Sequence, residues 1–66
     1  MRTYKDAVLS ALERVIEEIK DGQPIELVRW KYPHFRIMDW SNTQWHVSYK
    51  YNAASLYRRL IWKERR

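Results

Sequence analysis

Residues 35–51 of this chain read FRIMDWSNTQWHVSYKY, and the fold class depends on whether they form strands or a helix. Large apolar side chains alternate with other residues at Phe35 and Ile37, and again from Trp45 to Tyr51. The intervening Ser-Asn-Thr-Gln segment has the polar composition of a turn. Alternation on both sides of a turn is typical of two paired strands. These residues are therefore compatible with a β-hairpin.

A second signal in the same stretch favours a helix. Ser41 and Gln44 have capping-box spacing, in which the serine hydroxyl accepts from the glutamine amide and the glutamine side chain reaches back. A helix over about residues 42–50 would follow, and Asn52 would cap another helix over residues 53–63. We favour these helices because the capping box has a defined mechanism and the next segment repeats a cap.

The N-terminal half has a simpler pattern. Apolar side chains recur at three- and four-residue steps over residues 4–20, which predicts an amphipathic helix. Thr3 can cap this helix and Gly22 can end it. Pro24 suits the first turn of a second, short helix that runs to about Lys31. The predicted fold class is therefore mainly α, a small helical domain.

One domain over residues 1–66 is expected, and the alternative fold class is α+β with a hairpin at residues 35–51. A chain of this length buries only about 60% of the surface that its unfolded form exposes, which disfavours a deep catalytic cleft. The chain has one glycine and no cysteine, and its histidines lack metal-ligand spacing. We predict a protein that is not an enzyme and has no cofactor or metal site.

The net charge of +5 is concentrated in the second half of the chain. Residues 1–33 hold six basic and six acidic side chains, whereas residues 34–66 hold seven basic and two acidic ones. Such asymmetry indicates that the C-terminal half meets a polyanion. No membrane-spanning stretch and no secretory signal are visible in the sequence, so a cytoplasmic location is expected.

The order of residue types from Tyr51 to Arg58 suggests how that polyanion is bound. YNAASLYR reads as an apolar residue, a cap, two variable positions, serine, an aliphatic residue, a variable position and arginine. In this order residues 45–60 resemble the helix-turn-helix family of DNA-binding domains. The resemblance implies a helix-turn-helix-like C-terminal half whose last helix enters the major groove of double-stranded DNA.

We therefore predict a small DNA-binding regulatory protein acting in transcriptional or replication control. Homodimerisation is expected, because one small module makes few base contacts and because helix 4–20 has a wide apolar stripe. Arg58 is the strongest candidate, since both the family pattern and the helical wheel expose it. The predicted nucleic-acid-binding residues are Lys50, Asn52, Ser55, Arg58, Arg59, Trp62, Lys63, Arg65 and Arg66.

Two other functions fit the same residues. The four tryptophans of so short a chain could form a surface through which a small virus-type regulator binds and inhibits a host protein. The aromatic side chains could instead stack on the bases of single-stranded nucleic acid or RNA. This last interpretation gains weight if residues 34–52 form a hairpin.

Overall fold

A computed structural model describes residues 2–63, in which two α-helices precede a three-stranded antiparallel sheet of order β1-β2-β3. The elements in chain order are α1 (Tyr4–Lys20), α2 (Ile25–Lys31), β1 (Phe35–Asp39), β2 (Gln44–Tyr49), a 3-10 turn (Ser55–Tyr57) and β3 (Arg58–Trp62). The protein is therefore an α+β domain. The predicted mainly α fold class is wrong, and the alternative with a hairpin within residues 35–51 is confirmed.

Both predicted N-terminal helices are confirmed. The Thr3 hydroxyl accepts from the Asp6 amide at 3.1 Å, and the Asp6 carboxylate accepts from the Thr3 amide at 3.4 Å. Gly22 follows α1 with a φ of 87°, a conformation that glycine adopts without steric cost. α2 starts directly after Pro24, as the sequence predicts.

The predicted helix over residues 42–50 is replaced by the β1-β2 hairpin, in which Ile37 lies opposite Val47. The hydrogen bond expected of the helix cap does form, because the Gln44 amide donates to the Ser41 hydroxyl at 3.1 Å. It stabilises a turn instead, since the Trp40 amide also donates to the Gln44 carbonyl. A strand buries the alternating apolar residues of this segment on one side, and a helix would distribute them around its circumference.

The predicted helix over residues 53–63 is also wrong. Asn52 makes the kind of bond expected of a cap, accepting from the Ala54 amide at 2.8 Å, but this bond closes an Asx turn. A single 3-10 turn follows, and the chain then continues as β3. The two α-helices that the helix-turn-helix resemblance implies over residues 45–60 are therefore absent.

The core lies between α1 and one face of the sheet. α1 contributes apolar residues at helical spacing, and the strands contribute alternate residues. Val28 of α2 joins the same core. The buried apolar residues are Val8, Leu12, Val15, Ile16, Ile19, Val28, Phe35, Ile37, Val47, Tyr57 and Ile61. The apolar stripe of α1 is thus used inside the domain, and neither helix of residues 2–63 covers the opposite face of the sheet.

Candidate nucleic-acid interface

The sheet face turned away from the helices, here called the open face, is built by strand alternation. Residues next to the buried ones in each strand point to this side, and Trp40 joins them at the end of β1. The open face comprises Arg36, Met38, Trp40, Gln44, His46, Ser48, Arg58, Leu60 and Trp62. Its charged residues are both arginines, and none of these nine side chains is acidic.

Two arginines lie level with each other across the three strands of the open face. Ser48 of the central strand pairs with Arg36 of β1 on one side and with Arg58 of β3 on the other. We call these three residues the arginine rung. Neighbouring strands are about 4.8 Å apart, so the Cα atoms of the two arginines are separated by about 10 Å. Among residues 2–63, neither guanidinium group has a hydrogen bond or an ion pair, so both are available to an anion.

Exposed rings lie beside the arginine rung. The Trp40 ring packs on the His46 ring with centroids 5.2 Å apart and planes inclined by 32°. Trp40 is 56% exposed, and Trp62, on β3, is 65% exposed. We call Trp40, His46 and Trp62 the stacking platform. Flat rings that are free on one side are the groups on which unpaired bases stack.

A concavity joins the rung to the platform. It has a volume of about 370 Å³ and is lined by Trp40, His46, Ser55, Arg58, Arg59 and Leu60. The Nδ1 atom of His46 is buried at this place and has no hydrogen-bond partner among the described residues. The concavity therefore combines an aromatic wall with a guanidinium group.

The loop after β2 extends the positive charge of the rung. Its backbone is held where the Lys50 amide donates to the His34 carbonyl at 2.9 Å. A second depression of about 220 Å³ runs along this loop and is lined by Arg36, Ser48, Tyr49, Lys50, Asn52, Ala53 and Arg58. Of the predicted binding residues, Lys50, Asn52, Ser55, Arg58 and Trp62 thus lie on or beside the open face.

Two other predicted residues, Arg59 and Lys63, are held by contacts within the chain, although Arg59 also lines the concavity. The Arg59 guanidinium donates to the backbone carbonyls of Leu56 and Arg58, at 3.1 and 2.8 Å. The Lys63 ammonium forms an ion pair with Asp39 at 2.6 Å and lies 4.7 Å from the centre of the Trp45 ring. The predictions for Arg65 and Arg66 lie outside the described residues.

The sequence prediction missed Arg36, Trp40 and His46. Arg36 and His46 belong to the hairpin, where strand alternation sets them on the side opposite the buried apolar residues. That alternation was present in the sequence, but the helical interpretation of residues 42–50 prevented its use. The register that brings Arg36 level with Arg58 depends on both strand pairings.

Shifted pKa values mark contacts that hold the scaffold on the other side of the sheet. The hydroxyls of Tyr4 and Tyr49 are hydrogen-bonded at 2.9 Å, and this bond together with desolvation raises the pKa of Tyr49 to about 12. Hydrogen bonds from Tyr32 and then Lys31 lower the pKa of Glu18. The first contact ties the start of α1 to β2, and the second ties α1 to the end of α2.

Neither helix among residues 2–63 has the length and apolar character that crossing a bilayer demands. The chain matches no protein-family model, no curated protein and no solved structure.

Proposed function

We propose that this protein binds single-stranded nucleic acid through the open face of its sheet and does so in the cytoplasm. The observation that carries the proposal is the arginine rung beside the stacking platform, on a sheet face whose nine described residues include no acidic side chain. Antiparallel sheets with exposed rings bind single strands by stacking bases on the rings, while cationic side chains follow the phosphates.

Phosphate contacts and base contacts are made at different ends of the open face. Arg36 and Arg58 neutralise phosphates at one end, with Lys50 adding charge from the adjoining loop. Trp40 and Trp62 offer ring faces at the other end, where each stacked base contributes about 1–3 kcal/mol. A strand that runs from the arginine rung to the stacking platform uses both kinds of contact at once.

A single strand fits this face better than duplex DNA does. The major-groove mode predicted from the sequence requires a recognition helix, and residues 58–62 form a strand. In a duplex the bases are already stacked on each other, so the rings of Trp40 and Trp62 would have no base face to cover. Duplex binding would then use only the arginines and would be weaker at equal length.

A protein partner is the second candidate function, and one observation on the helical side favours it. Trp30 is 78% exposed and lies three residues from Leu27, which is also exposed, on the same side of α2. Exposed tryptophan is a typical anchor of protein interfaces. This pair lies on α2 and not on the open face of the sheet, so Trp30→Ala separates the two functions: it should weaken protein capture and leave nucleic-acid binding unchanged.

The proposal is tested by fluorescence anisotropy with labelled single-stranded RNA, single-stranded DNA and duplex DNA of equal length at several salt concentrations. We expect single strands to bind more tightly than the duplex. Arg36→Ala and Arg58→Ala should each weaken binding and each reduce the slope of log K against log salt by about 0.7.

Arg14→Ala is the matched control, because Arg14 is an exposed arginine on α1 and its loss changes the net charge equally. It should leave the salt slope near that of the parent. Equal affinity for duplex and single strands, or an Arg14→Ala effect as large as that of Arg58→Ala, would overturn the proposal.

A further inference from the structure

The two edge strands of the sheet, β1 and β3, differ in which of their outward backbone groups form hydrogen bonds within the domain. Along the outer edge of β1, the Phe35 amide donates to the Tyr32 carbonyl at 3.1 Å, and the Arg29 guanidinium donates to the Ile37 carbonyl at 2.8 Å. These bonds occupy backbone groups that would otherwise recruit another strand. The start of the β1 edge, at Phe35, and its middle, at Ile37, are thus each covered by a hydrogen bond from within the domain.

The outer edge of β3 is open over Leu60 and Trp62. The Lys63 amide donates to the carbonyl of Thr43, the residue before β2. In an antiparallel pair every second residue directs its backbone groups to the partner strand, so the backbone groups of Ile61 and Arg59 also point to β2. Leu60 and Trp62 therefore direct their N–H and C=O groups away from the sheet. Among residues 2–63, no hydrogen bond to these outward groups is present.

Arg58 marks where this open edge begins. Its amide faces outward as well and donates to the Ser55 carbonyl, and its carbonyl accepts from the Arg59 guanidinium. That carbonyl keeps a second lone pair for another donor. The edge therefore offers an outward-facing carbonyl at Arg58 and complete donor and acceptor pairs at Leu60 and Trp62.

We propose that β3 pairs antiparallel with β3 of a second copy of this chain, about a twofold axis at Leu60. In this register the two Leu60 residues exchange both backbone hydrogen bonds, and each Trp62 amide donates to the Arg58 carbonyl across the axis. The two three-stranded sheets then form one continuous six-stranded sheet.

The side chains of β3 are complementary to themselves in this register. Arg58 lies opposite Trp62 on the open face, where a guanidinium and an indole ring attract each other. Leu60 meets Leu60 between these two pairs. A twofold axis at Arg59 or Arg58 would instead set identical arginines directly opposite each other, which is destabilising. The Leu60 register joins the two copies without a like-charge pair.

The geometry places both open faces on the same side of the joined sheet, because the twofold axis of an in-sheet pair is perpendicular to the sheet. The pairing rests on the backbone groups of β3 and on the side-chain contacts of Arg58, Leu60 and Trp62, and it requires no bound nucleic acid. A second copy also supplies the apolar contact that a chain of this length otherwise leaves exposed at Leu60.

Sedimentation velocity from micromolar to submillimolar concentration tests the proposal, with Leu60→Lys as the disrupting variant. Leu60 is 46% exposed, so lysine is compatible with the fold but places two like charges at the axis. Met38→Lys is the matched control: Met38 is 41% exposed and lies level with Leu60 across the sheet, but on the opposite edge strand, β1.

We expect the parent and Met38→Lys to sediment as dimers and Leu60→Lys to dissociate at least about tenfold more readily, with unchanged circular dichroism. Amide hydrogen exchange gives a test without substitution. The Leu60 and Trp62 amides should be protected only at concentrations where the dimer forms, and the Arg59 and Ile61 amides at all concentrations.

A parent that stays monomeric at submillimolar concentration, or equal dissociation of the two lysine variants, would overturn the proposal. So would a dimer in which the Leu60 and Trp62 amides exchange as fast as in the monomer, because the interface would then lie elsewhere. Capture of an extended peptide by a monomeric parent would show that the edge accepts another occupant, which also overturns it.

Discussion

Arg36 and Arg58 lie on opposite edge strands and flank the same residue, Ser48, on the open face of the sheet. They are 22 positions apart in the sequence, and their common rung exists only because β2 pairs with β1 and β3 at once. The small serine between them leaves space above the sheet. A phosphate backbone that crosses this space meets a guanidinium group on each side.

Trp40→Ala should weaken binding of a single strand without unfolding the protein. The Trp40 ring is more than half exposed and packs on His46, so its removal takes away one stacking surface, equivalent to about 1–3 kcal/mol of binding free energy. Quenching of tryptophan fluorescence and anisotropy titrations measure the change. Trp30→Ala is the control on α2, and a loss of the same size in that variant would contradict a stacking role for Trp40.

Leu12→Ala should destabilise the domain strongly. Leu12 is fully buried at the centre of the α1 face that covers the sheet, and truncation of such a leucine costs about 2–5 kcal/mol. Because domains of this size rarely have more than about 3–5 kcal/mol of stability, much of the variant should be unfolded at room temperature. Urea unfolding followed by circular dichroism measures this, with Leu27→Ala as the exposed-leucine control. Similar midpoints for both variants would show that the α1 stripe is not the core.

Stability should fall as the pH rises from about 10 towards 12. The pKa of Tyr49 is raised to about 12 in the folded protein, whereas an unfolded tyrosine ionises near its usual value of about 10. The unfolded chain therefore releases this proton first, and the contribution of the Tyr4 contact is present below pH 10 and lost above it. Thermal unfolding at a series of alkaline pH values measures the effect.

Tyr4→Phe is the variant that isolates this contact, because it removes the hydroxyl bonded to Tyr49. In this variant tyrosinate absorbance should show Tyr49 ionising closer to its usual range, and the alkaline loss of stability should be smaller. Tyr32→Phe is the control, since the Tyr32 hydroxyl donates to Glu18 instead. An unchanged Tyr49 titration in Tyr4→Phe would mean that the Tyr4 hydrogen bond does not set this pKa.

The parts of this protein that can be predicted from its sequence are those whose stabilising contacts are local. α1 and α2 follow from apolar spacing, from the Thr3 cap and from the placement of Pro24, all of which act within a few residues. Even in the segment that was predicted wrongly, the Ser41 hydroxyl and the Asn52 side chain accept the kind of backbone hydrogen bond expected of them. The excess of positive charge in the C-terminal half is likewise a property of the sequence alone.

Long-range packing and strand pairing determine which element those local hydrogen bonds stabilise. A bond from the Gln44 amide to Ser41 fits the first turn of a helix and the turn of a hairpin equally well, so it cannot distinguish them. The difference comes from distant partners: the apolar stripe of α1 needs a surface to cover, and Ile37, Val47 and Ile61 form one only as neighbouring strands. The same pairing sets the register of Arg36, Ser48 and Arg58, because cross-strand neighbours are fixed by hydrogen bonds between segments far apart in the chain.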